Sequence, residues 1–112
     1  MLRADALRAG RRELDWTEEA TRAEAMRLSA SRIEASFAET IRLQTDPRLA
    51  NAARGYFLTY INTFNEWHEG TQFEPMKSAR DLTPAERAIG YHNPPAGDYR
   101  IRLLRQLLEQ VL

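Results

Sequence analysis

Along most of the chain, apolar positions recur at helical spacing. Residues 2–14, "LRADALRAGRREL", suggest a short charged helix. The segment "DWTE" then offers Asp15 or Thr17 as a cap for a second helix, with an acidic residue three places after the aspartate. Met26, Ala30, Ile33, Phe37 and Ile41 step by four, three, four and four, which is one helical face. This predicts a helix from Thr17 to Gln44, roughly 40 Å long, with a solvated arginine- and glutamate-rich opposite side. "TDPRLANAARG" reads as a break and restart, with Asp46 as cap, Pro47 first in the helix and Gly55 ending it. The exception to helical spacing is "YFLTYINTF", Tyr56 to Phe64. It is β-branched and aromatic, apolar on both alternating faces, and so predicts a strand inside a covered, usually parallel sheet.

Two loops and two helices complete the pattern. "EPMKSARDL" is a loop. "TPAE" starts a short helix with Thr83 as cap, Pro84 first and Glu86 closing a capping box. "GYHNPPAGDY" is a second loop. Asp98 caps a C-terminal helix in which Ile101, Leu104, Leu107, Leu108 and Val111 lie together. "YRIRL", Tyr99 to Leu103, also alternates like a strand, but the leucine spacing after it argues for helix. The order helix, strand, loop, helix is the repeating unit of an α/β fold. The expectation is therefore a mostly helical chain with one strand. That strand needs partners for its backbone groups. They could come from a second copy, from a larger sheet protein of which this is part, or not be needed if the run is a buried helix.

Composition narrows the function classes. Hydrophobic residues make up 43% and charged residues 29%, as in ordinary globular chains, and the length allows a single domain, residues 1–112. Sixteen basic and sixteen acidic residues cancel, leaving no electrostatic footprint for nucleic acid or acidic membranes. Lys77 is the only lysine. With no cysteine, disulfides and thiolate metal sites are excluded. Arg3 and Asp5 interrupt what a signal peptide would need as an apolar core, and no run reaches the roughly 20 apolar residues of a membrane span. The chain as written is expected to be cytoplasmic.

Candidate chemistry is concentrated in "NTFNEWHEGTQFEP", Asn62 to Pro75. If Glu66 to Glu69 form the turn leaving the strand, with Gly70 tolerating positive φ, both carboxyls can face one pocket. Two carboxyls in one pocket are the working parts of glycoside hydrolysis, one acid and one base or nucleophile. Trp67 offers an apolar face and an N–H donor for a sugar ring. Asn65, Gln72 and His68 can bond hydroxyls or a carboxylate. Equally, two glutamates at this spacing are common on solvated helices, and a lone tryptophan is commonly core. His68 and His92 with Glu66 and Glu69 lack the His-Glu-x-x-His spacing of a zinc helix, so neither metal nor cofactor is expected.

The segment "TFNEWHEGTQFEP" resembles "SFNEWHEGTQIE" of glycoside hydrolase family 99, the endo-α-mannosidases and endo-α-mannanases. It resembles less closely the "SWNEWAEGTYLEP" of WbsX-like proteins of polysaccharide biosynthesis. The match runs nearly unbroken from Thr63 to Pro75, and His68 and Gln72 favour the family 99 side. The resemblance implies the C-terminal portion of a (β/α)8 TIM barrel, with the motif strand and loop at about residues 56–75. A whole barrel takes roughly 250 residues, so a partial domain is implied. It further implies retaining, endo-acting cleavage of an α-mannoside. Glu66 would act as base on the sugar 2-hydroxyl and Glu69 as acid/base. Asn65, Trp67, His68 and Gln72 match without an equally clear role and are taken as substrate-binding. The partner expected is an α-mannoside-type glycan, together with the remaining barrel portion or a second copy. The isolated chain is expected to be inactive or nearly so. Alternatives are a biosynthetic role and a non-catalytic helical or carbohydrate-binding remnant.

Overall fold

The structure is a computed structural model that describes residues 14–54, 60–68 and 70–111. The described residues form four α-helices and a 3₁₀ turn. These are α1 (Glu19–Thr45), α2 (Ala50–Arg54), the turn Ala79–Asp81, α3 (Pro84–Ala88) and α4 (Tyr99–Glu109). No strand occurs among them. The expected α/β barrel portion is therefore corrected to a helical arrangement.

The physical reason is visible where the expected strand ends. Tyr56 to Thr59 lie outside the described residues, but Tyr60 to Thr63 are irregular chain, Phe64 lies in a bend, and no regular ladder forms. Among the described residues, their backbone–backbone bonds go to the segment 71–74. Thr63 N–H donates to Thr71 O, Phe73 N–H is shared between Thr63 O and Phe64 O, and Glu74 N–H also donates to Phe64 O. One carbonyl serving two successive amides breaks the alternation that a sheet register requires. Tyr60 and Phe64 remain 85% and 62% exposed, so the covered sheet that their apolar character predicts is absent here.

Helix α1 starts two residues after the predicted Thr17. Asp15 Oδ1 accepts from Thr17 N–H at 2.9 Å and from Thr17 Oγ1 at 2.6 Å. These bonds make Asp15 the anchor of a turn before the helix rather than its cap, and Glu18 occupies the cap position without a side-chain bond. Arg22 reaches back to the Trp16 and Thr17 carbonyls, closing that turn onto the first helical turn. At the other end Asp46 accepts from Arg48 N–H at 3.0 Å, and α2 begins only at Ala50. Of the predicted helix at 2–14 only Leu14 is among the described residues, and it is not helical; the rest of it and the stop at Gly55 lie outside them.

The later elements follow the sequence closely. The Thr83–Glu86 capping box forms in both directions, with Pro84 in the first turn. Asp98 is the cap residue of α4 but uses its carboxylate on Arg102, 2.9 Å away, instead of on the backbone. The loops on either side of α3 are joined backbone to backbone. Met76 N–H donates to Gly97 O and Ala79 N–H to Pro94 O. The approach is so close that a Cβ on Gly97 would run into the Met76 carbonyl.

Helices α1 and α4 pack against each other. Among the described residues only Ala25, Leu82 and Leu104 are buried apolar side chains. The predicted apolar faces turn inward only in part: the residues of α1 that are buried are Ala25 and Ser29 rather than Met26 and Ala30, Val111 is 47% exposed, and the rest border an open groove of about 890 Å³ rather than a filled core. Its walls include Ile33, Phe37 and Ile41 of α1, Leu104 and Leu108 of α4, and Phe73. No helix among the described residues is long and apolar enough to cross a membrane.

Candidate functional site

The motif segment folds as a closed loop standing on the α1–α4 pair. Its neck is the set of bonds between 63–64 and 71–74. Inside it the turns are tight. Thr63 Oγ1 accepts from Glu66 N–H at 3.1 Å and contacts Thr71 Oγ1 at 3.2 Å. Trp67 N–H donates to Asn65 O, Gly70 N–H to Trp67 O and Thr71 N–H to Glu66 O. Gly70 takes a φ of 67°, the left-handed conformation expected of a glycine closing such a turn.

The loop sorts the candidate residues by exposure. Asn65, Glu66 and His68 project into solvent. Trp67 is 44% exposed, and its indole N–H donates to Glu74 Oε2 at 2.8 Å. The N–H that could have reached a sugar hydroxyl is thus engaged, and what the tryptophan offers outward is its ring. Gln72 is placed differently from its neighbours. It is 7% exposed, and its side-chain oxygen accepts from Arg100 at 3.3 Å. Glu69 lies outside the described residues, so its relation to Glu66 stands only as the sequence expectation.

Arg100 is the residue that the motif did not announce. It is 9% exposed and enters from the first turn of α4. Nη1 donates to Gly70 O at 2.6 Å and to Gln72 O at 3.0 Å. A sequence signal for it does exist. Arg100 stands four residues before Leu104 and eight before Leu108, in the apolar register of its own helix.

His92 is not part of such a cluster. It is exposed and near the start of α1. Asp15 there has its carboxyl held below the usual range, first by the bonds from the Thr17 side chain and backbone, with a smaller contribution from His92. No three potential ligands gather into a metal site among the described residues. Compared with protein-family models, curated proteins and solved structures, the chain matches none.

Proposed function

We propose that the loop 60–74 is a glycan-contacting element of a carbohydrate-active protein that takes α-mannosides. The observation that carries this reading is Trp67. Its ring is presented at the surface, and the bond to Glu74 fixes the plane of that ring before any ligand arrives. An apolar sugar face against a fixed indole needs little ordering on binding. Asn65, Glu66 and His68, its neighbours in the chain, are exposed and carry groups suited to hydroxyls. The near-continuous resemblance to the family 99 motif supports the choice of mannoside and the assignment of Glu66 and Glu69.

In the catalytic form of this proposal Glu66 takes the proton of the sugar 2-hydroxyl as that oxygen displaces the leaving group. Glu69 gives a proton to the departing oxygen. Glu69 then accepts a proton from the incoming water, and Glu66 returns its own to the 2-oxygen. Two displacements leave the anomeric configuration retained. The exposure of Glu66 favours a second reading, because a carboxylate in open solvent lacks the dry site that strengthens such chemistry. In that reading the chain binds glycan without cleaving it, in degradation or in WbsX-like biosynthesis.

The test is calorimetric titration of the 112-residue protein with α-linked mannobiose and with α-mannan, alongside an assay for new reducing ends. Trp67→Ala is expected to weaken binding by about tenfold or more, the equivalent of about 1.4 kcal/mol. Glu66→Gln and Glu69→Gln should retain binding and abolish whatever release of reducing ends the native chain gives. A native chain that binds neither ligand sinks the proposal.

A further inference from the structure

A guanidinium stays charged at any pH a protein survives, so burying one demands compensation. No carboxylate among the described residues lies in an ion pair with Arg100. Its compensation is a set of oxygens. Gly70 O, Gln72 O and Gln72 Oε1 all accept from Nη1, and the Tyr99 hydroxyl accepts from Nε at 2.9 Å. The Tyr99 ring also lies 5.7 Å from the guanidinium carbon, within reach of a cation–π attraction.

Two of these acceptors are main-chain carbonyls. The cation therefore grips the course of the loop backbone rather than any one side chain. Its grip is relayed. Gly70 and Thr71, whose neighbourhood is held by Arg100, in turn donate their amides to Trp67 O and Glu66 O. The path from α4 thus runs through hydrogen bonds as far as the main chain of Trp67 and Glu66, from which the exposed indole projects.

We propose that Arg100 is the positioning residue of the glycan-contacting loop, fixing where Trp67 and Glu66 stand relative to the helices. The glycan part of this statement rests on the function proposed above; the positioning part does not.

The experiment uses the full 112-residue chain labelled with ¹⁵N. The indole N–H signals of Trp16 and Trp67 are assigned with Trp16→Phe, and α-mannobiose is titrated in. Arg100→Met removes the donors. Arg100→Lys keeps the charge but cannot span both the loop carbonyls and the Tyr99 hydroxyl. Tyr99→Phe removes only the rear support. In Arg100→Met, exchange of the Trp67 indole proton with water is expected to rise by about tenfold or more while Trp16 stays unmoved. Mannobiose affinity is expected to fall by a similar factor, with helicity by circular dichroism retained. Arg100→Lys and Tyr99→Phe should lie between this variant and the native chain. If Arg100→Met loses its helicity, these two milder variants decide by the same readings. A Trp67 signal that does not move in any variant that keeps its helices overturns the proposal. If the native chain binds no mannobiose, the glycan reading falls, and the indole exchange alone then supports or overturns the positioning role.

Discussion

Trp67 and Glu74 form the smallest unit on which the functional reading can be tested. The indole N–H reaches Glu74 Oε2 across seven residues, so one bond ties the top of the loop to its neck. Glu74→Ala keeps Asn65, Glu66, Trp67 and His68 and removes the tether. The expectation is a more mobile indole, seen as lowered fluorescence anisotropy of Trp67 in a Trp16→Phe background, and mannobiose binding weakened by about threefold to tenfold through the added cost of ordering. Binding as tight as that of the native chain would mean that a fixed ring plane is not what the loop supplies. The tether was only half legible in the sequence. Trp67 stood out as a candidate, but Glu74 drew no role from the motif. Gln72 shows the opposite case. The motif marked it for substrate, whereas its amide faces the Arg100 guanidinium beneath the loop.

At the scale of elements, legibility followed how local the determining chemistry is. The capping box of α3 needs only four consecutive residues, and Thr83, Pro84 and Glu86 place it correctly. The run Tyr60 to Phe64 depends on what lies beside it in space, and its apolar character predicted a cover that the fold does not provide. Asp46 falls between. Its capping chemistry was foreseen, but the carboxylate holds Arg48 in a turn and the next helix starts later. The α3 element also carries a pH dependence. Glu86 accepts from Lys77 at 2.5 Å and from the Thr83 backbone and hydroxyl, which lowers its pKa from 4.5 to about 2. A lowered folded-state value means a contribution that is fully present above the ordinary carboxyl range and lost as pH falls through about 2. Side-chain ¹³C titration should find the Glu86 midpoint well below that of a free glutamate. Glu86→Gln should flatten the part of the acid melting curve that this group provides, and a Glu86 midpoint in the ordinary range would refute the assignment.

For the whole molecule, the informative quantity is how little is buried. The described residues include no large side chain that is fully enclosed, and Leu104 is one of only three buried apolar residues among them. Leu104→Ala would therefore loosen the packing of α4 beside the groove that α1 also lines. The expected loss is about 2 kcal/mol, the low end for such a truncation, because the adjoining groove already leaves the site partly relaxed. Urea melting would measure it, and an unchanged midpoint would show that this packing does not limit stability. The same thinness explains why the helices were readable while their arrangement was not. Periodicity identified the inward faces of α1 and α4 only in part, and nothing in a period says whether a face meets a partner helix or a groove.

The joint between the loops around residues 76–79 and 93–97 has a consequence for how this sequence can vary. Peptide groups meet there directly, and the Ser78 hydroxyl and the Asn93 amide add bonds across the joint, so apart from these two the side chains along both segments can drift with little effect on the spacing. Fragility is then concentrated at one place. Any replacement of Gly97 inserts a carbon where the Met76 carbonyl already stands, and would wedge apart the two stretches that set where α4, and Arg100 with it, begins.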